Sequence, residues 1–145
     1  MKILRLNKAI KTSGIVLVFL MLGLNSFAQL SDLHYLAPLR QGALAFDSQN
    51  IYVSTPETNA FTVNVYQGNN TNPIASLVVS KASDAIYTLA NGSDNDITLL
   101  TAAKTGFVQS NSGLRFESSG GQKFYVNWRG KSAAQASSLT SKGRA

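Results

Sequence analysis

The chain of 145 residues contains no cysteine. Disulfides, thiolate metal centres and attachment of a lipid at a thiol are therefore excluded. Small secreted domains of eukaryotes commonly rely on disulfides, so a Cys-free exported chain fits a bacterial protein whose core must hold itself together. Histidine is nearly as scarce: His34 is the single one. A Ser-His-Asp triad would have to use it, and no serine sits in a G-x-S-x-G elbow. Its place close to the start of the processed chain reads as a solvated side chain. Acidic residues number 7, of which only Glu57 and Glu117 are glutamates. Nothing in their placement supports a carboxylate pair for sugar hydrolysis. The segment "GSDND", residues 92–96, has two aspartates but lacks the twelve-residue calcium pattern and its terminal Glu, and reads as a turn. No cofactor motif and no metal-ligand spacing is present, and the sequence reads as non-enzymatic.

Long apolar runs are also missing, with one exception. Residues 14–24, "GIVLVFLMLGL", are uncharged and apolar. They follow Lys2, Arg5, Lys8 and Lys11 and precede "NSFAQ". A membrane-spanning helix needs about 20 apolar residues, and this run is too short. A basic start, a short apolar core and small residues at Ser26 and Ala28 form a secretory signal over residues 1–28. Cleavage by signal peptidase is expected between Ala28 and Gln29, giving a secreted or cell-surface product with no permanent membrane span. The formal charge of +6 then falls: 9 Lys and Arg remain against 7 Asp and Glu, a net +2. The high pI is a targeting feature, and a nucleic-acid partner is not expected without a retained basic face. What charge remains is uneven. Residues 29–114 carry 3 basic and 6 acidic groups; residues 115–145 carry 6 basic and 1 acidic.

The rest is short β-type runs broken by Asn, Gly, Ser, Asp and Pro. After an extended lead over residues 29–42 come "IYVST" (51–55), "FTVNVYQ" (61–67), "IASLVVS" (74–80), "AIYTL" (85–89), "ITLLT" (97–101) and "GFVQS" (106–110). In the second of these Phe61, Val63 and Val65 share one face and Thr62, Asn64 and Tyr66 the other. No stretch beyond residue 30 keeps a helical period. Period-two runs with turn signals every 8 to 12 residues predict an all-β fold, an antiparallel β-sandwich over residues 43–145.

The segment "GLRFESSGGQKFYVNWRG", residues 113–130, could suggest a phosphate loop. Its spacing does not fit G-x-x-x-x-G-K-[ST] between a strand and a helix. It reads instead as a hairpin. Leu114, Phe116, Phe124, Val126 and Trp128 form the core side, and the turn "SSGGQ" sets Phe116 across from Phe124 and Glu117 across from Lys123. The glycines supply positive φ at the bend. Tyr125, Asn127 and Arg129 fall on the polar side. Exposed aromatic and Arg side chains are frequent at recognition surfaces, which makes these three the candidate ligand surface.

"IYVSTPETNAFTVNVYQG", "GLRFESSGGQKFYVNWRGKS" and "AQASSLTSKGRA", with the lead "LSDLHYLAPL", together resemble the N-terminal region of exported Bacteroidota surface proteins. Those proteins carry a domain similar to the N-terminal domain of IgG-Fc-binding protein. The resemblance covers nearly all of residues 30–145. It implies a β-rich domain at the start of a long type IX secretion or gliding-associated adhesin, with no catalytic residues. The partner implied is a host or environmental surface protein or glycan. Chains of that kind continue past the point where this one stops, so residues 43–145 are expected to be a sandwich cut short at its C-terminal end, with open strand edges. The alternative is a small secreted carbohydrate-binding module.

Overall fold

The computed structural model describes residues 30–40, 46–89, 97–132 and 135–141. The signal segment with Ala28 and Gln29, and the "GSDND" turn, lie outside the described residues.

Among the described residues ten strands form in chain order: β1 (Leu33–Leu36), β2 (Leu39–Arg40), β3 (Ser48–Ser54), β4 (Phe61–Gln67), β5 (Ala75–Val79), β6 (Ala85–Leu89), β7 (Leu99–Leu100), β8 (Leu114–Ser118), β9 (Tyr125–Ser132) and β10 (Gln135–Ser141). The only helical element among the described residues is a single 3-10 turn, Ala102–Lys104. One antiparallel sheet has the order β1-β8-β4-β5 and the other β10-β9-β3-β6. A short parallel pair, β2 with β7, stands apart from both.

Alternation is what makes these strands sandwich layers. In β3, Gln49, Ile51 and Val53 are buried while Ser48, Asn50, Tyr52 and Ser54 face outward. In β4, Phe61, Val63 and Val65 are buried. Strands β8 and β9 add Leu114, Phe116, Val126 and Trp128, and all of these apolar side chains join one cluster with Leu36, Val79, Leu89 and Phe124. The two sheets thus close over a single core. Burying an aliphatic or aromatic side chain of this size contributes roughly 1.5–3 kcal/mol. With no covalent cross-link present, this cluster carries the stability.

Residues 113–130 do not form a hairpin. Strand β8 pairs with β1 and β4, whereas β9 pairs with β3 and β10. Phe116 stands opposite His34 and Val65, not Phe124. The segment "SSGGQ" arches from one sheet to the other. Ser118 Oγ donates to the Gln122 carbonyl at 2.7 Å, and Gly121 takes φ +72° at the bend. Phe116 and Phe124 still face the same core because each lies on the inner side of its own layer. Two further expectations change. Residues 106–110 are not a strand but part of a turn-rich loop exposing Phe107 and Val108. Residues 135–141 form a strand that the sequence pattern did not show. Of the extended lead, β1 is built into the sandwich as an edge strand of its sheet.

Candidate ligand-binding face

Tyr125, Asn127 and Arg129 alternate along β9 with the buried Val126 and Trp128, so all three emerge on the outer side of the β10-β9-β3-β6 sheet. The register sets their neighbours. Tyr125 lies opposite Ser54, Asn127 opposite Tyr52 and Arg129 opposite Asn50 on β3. On the other flank Asn127 lies opposite Thr140 and Arg129 opposite Ser138 of β10. Beyond β3, Asn50 faces Thr88 and Tyr52 faces Ile86 on β6.

These side chains are tied together in sequence. Asn127 Nδ2 donates to Thr140 Oγ1 at 2.8 Å and to Ser138 Oγ at 3.2 Å. Its Oδ1 accepts from Arg129 Nε at 3.0 Å. The Arg129 guanidinium lies 4.9 Å from the centroid of the Tyr52 ring. Asn50 is fixed from both sides, donating to Ser48 Oγ at 3.1 Å and accepting from Thr88 Oγ1 at 2.9 Å. A flexible cation is thereby held against an aromatic plane by a rigid amide. Less conformational freedom is then lost when a ligand meets its terminal nitrogens. Among the described residues no hydrogen bond or ion pair engages those nitrogens.

Within the four strands of this sheet the charge has one sign. None of β3, β6, β9 and β10 contains Asp or Glu, while Arg129 and Lys131 are both exposed. Two acids stand just outside the strands: Asp84 directly precedes β6, and Asp47 directly precedes β3 and gives its backbone N–H to the Lys131 carbonyl at 2.8 Å. A depression of about 330 Å³ opens between Arg129, Lys131, Ser48, Asn50, Tyr52 and Ser138.

The opposite sheet carries a similar Arg-over-Tyr pair, with Arg115 4.2 Å from the Tyr66 ring centroid. There, however, Glu117 lies 3.9 Å from one guanidinium nitrogen and the Asn70 carbonyl accepts from another at 3.4 Å. Glu117 therefore partners Arg115 rather than Lys123. That arginine is already engaged within its own sheet, which leaves Arg129 as the better placed of the two to meet an anion.

His34 is not solvated. It is fully buried, with Nε2 2.8 Å from the Phe124 carbonyl and Nδ1 3.1 Å from Ser141 Oγ. A carbonyl only accepts, so Nε2 carries the proton and Nδ1 of the neutral ring accepts from the hydroxyl. Desolvation by burial holds its pKa below the usual value. With both nitrogens occupied it has no position from which to act on a substrate. The described residues contain no group of three or more metal-ligating side chains, and no helix among them is long and apolar enough to cross a membrane.

Sequence reading found three members of this face but missed Tyr52, Asn50, Ser138 and Thr140. The alternation of "QNIYVS" marks Asn50 and Tyr52 as outward-facing. Nothing local says that β3, rather than β8, lies beside β9. Comparison with protein-family models, curated proteins and solved structures finds no match for the chain.

Proposed function

We propose that this chain is a non-enzymatic, exported ligand-binding module of the surface-adhesin type, and that the outer face of the β10-β9-β3-β6 sheet is its ligand surface. The observation that carries the reading is the Thr140–Asn127–Arg129–Tyr52 chain, a preorganised cation on a sheet face of polar and aromatic side chains with Ile86 at its β6 edge. Export is supported by the signal pattern of residues 1–28, and the adhesin setting by the resemblance of residues 30–145 to Bacteroidota surface proteins. Partners are a surface protein or a glycan. A small carbohydrate-binding module is the second reading, favoured by Tyr52 and Tyr125 sharing one face with the amides of Asn50 and Asn127.

The test is retention of fluorescently labelled full chain on cell surfaces and on extracellular polymer coats. Retention that drops at least tenfold in a Tyr52→Ala, Arg129→Ala double variant supports the assignment. Equal retention of the folded double variant, or no retention of the parent chain on any surface, sinks it.

A further inference from the structure

Resting on that reading of the sheet face, we infer that its occupant is an acidic polysaccharide, a sugar polymer bearing carboxylate or sulfate groups, bound across Arg129 and Lys131.

The sign of the charge comes first. Arg129 and Lys131 project from the same side of β9, two residues apart and therefore roughly 7 Å apart along the strand. No acidic residue occurs in any of the four strands of the sheet, and Asp47 and Asp84, just before β3 and β6, do not line the depression. Arg129 is held by Asn127 at Nε and by the Tyr52 ring beneath it, so its terminal nitrogens form a fork suited to a planar or tetrahedral oxyanion. Lys131 adds a second positive charge on the rim of the same depression.

The class of polymer follows from what surrounds the charges. Ser48, Asn50 and Ser138 line the depression with hydroxyl and amide groups that match sugar hydroxyls, beside the Tyr52 ring. A peptide is recognised by sheets mainly through a free strand edge, where backbone N–H and C=O groups are open to pairing. On this face β9 and β3 are interior strands, each bonded on both sides. At Arg129 and Lys131 themselves only side chains are on offer, the sheet's edges being β10 and β6, which suits a ring-bearing chain better than an extended peptide paired at β9.

Affinity electrophoresis of the purified full chain through gels containing polygalacturonate, dextran sulfate, poly-glutamate or neutral dextran, at low and moderate salt, tests this. Retardation by polygalacturonate, dextran sulfate or both, exceeding that by poly-glutamate and by neutral dextran, is expected. The first two gels distinguish a carboxylate from a sulfate ligand. Arg129→Gln with Lys131→Gln should weaken retention about tenfold or more and flatten its salt dependence. Lys81→Gln, on the turn before β6 and outside the depression that holds Arg129 and Lys131, should leave it unchanged. Equal retention of the Arg129/Lys131 variant and the Lys81 variant overturns the inference. So does retention by neutral dextran equal to that by the polyanions, tighter binding to poly-glutamate, or no retention in any gel. If the polyanion result fails while surface retention still depends on Tyr52 and Arg129, only the ligand class falls. If both fail, the ligand face falls with it.

Discussion

His34 Nε2 lies 2.8 Å from the carbonyl oxygen of Phe124, a residue 90 positions further along the chain. The same imidazole meets Ser141 through Nδ1, across a separation of 107 residues. One ring therefore joins β1 of one sheet to the entrance of β9 and the end of β10 in the other. Burial lowers its pKa from the ordinary 6.5, while the nearby Asp32 carboxylate and the bond to Phe124 oppose that shift without cancelling it. The native state thus binds the proton less readily than the unfolded chain. Its contribution is complete above pH 6.5 and is lost as the pH falls below that value toward the lower folded-state pKa. Protonation at Nδ1 would also turn the Ser141 hydroxyl away from the ring toward the Tyr35 carbonyl, 3.1 Å off.

Urea unfolding at pH 7.5 and at pH 5.5 should show lower stability at the acid value. Because His34 is the single histidine, His34→Gln should remove that difference whatever its own stability. A pH slope that persists in the variant would assign the effect elsewhere.

Trp128 is the largest fully buried side chain, and the Phe46 ring meets it edge-on at 5.4 Å. Gly130 gives both rings their room: a Cβ built there falls 2.5 Å from Phe46 and from Trp128. Gly130→Ala should cost about 1–3 kcal/mol by overpacking, and Trp128→Ala about 3–5 kcal/mol through the cavity left. Near-UV circular dichroism should change in both, and denaturant midpoints should rank parent, Gly130→Ala, Trp128→Ala.

Two glycines with positive φ separate backbone strain from steric exclusion. Gly121, φ +72°, has open space where a Cβ would go. Gly68, φ +51°, would set a Cβ 2.5 Å from the Ser110 carbonyl oxygen. Gly121→Ala should therefore cost only about 1 kcal/mol, the conformational term. Gly68→Ala should cost more, because the loop carrying Ser110 and Asn111 must shift. Thermal melts that rank the two variants in the reverse order would contradict this.

Asn127 positions Arg129 and does not itself carry charge. Asn127→Ala frees the guanidinium and removes hydrogen bonds that are solvent-exposed, each worth roughly 0.5–1.5 kcal/mol. We expect weaker retention by acidic polysaccharide, with a salt dependence close to that of the parent because both cations remain. Asn127→Asp instead brings a carboxylate to Arg129 and should weaken retention further and reduce its salt dependence. Equal salt slopes in the two variants would show that the cations are not the contact.

Much of the layer structure was legible in the sequence. Residues 61–67 and 85–89 form strands over the predicted spans, and Trp128, Phe116 and Phe124 lie in the core. Alternation reports which side chains share a face, and that is a local property. It does not report which strand is adjacent. For residues 114–129 a hairpin and an arch bury the same aromatics, so the hydrophobic pattern cannot separate them. Strand β10 was missed because "QASSLTS" has one large apolar residue, Leu139, and four of its residues are serine or threonine hydroxyl-bearers. An edge strand outside the main cluster needs little more. Residues 106–110 misled for the opposite reason: Phe107 and Val108 look like core residues and are exposed. His34 could not be placed because both of its partners lie at the far end of the chain.

The arch at residues 118–122 has a consequence for the order of assembly. Of the links between successive strands, those joining β4 to β5 and β9 to β10 let a strand fold back on its immediate predecessor within the same main sheet. Among the described residues strand β1 has β8 as its sole ladder neighbour, so residues 33–36 stay unmatched until residues 114–117 are at hand. A chain emerging N-terminus first would carry its opening strand idle through most of its synthesis. Such distant closure slows folding, and it lengthens the time for which the opening strand stays unpaired.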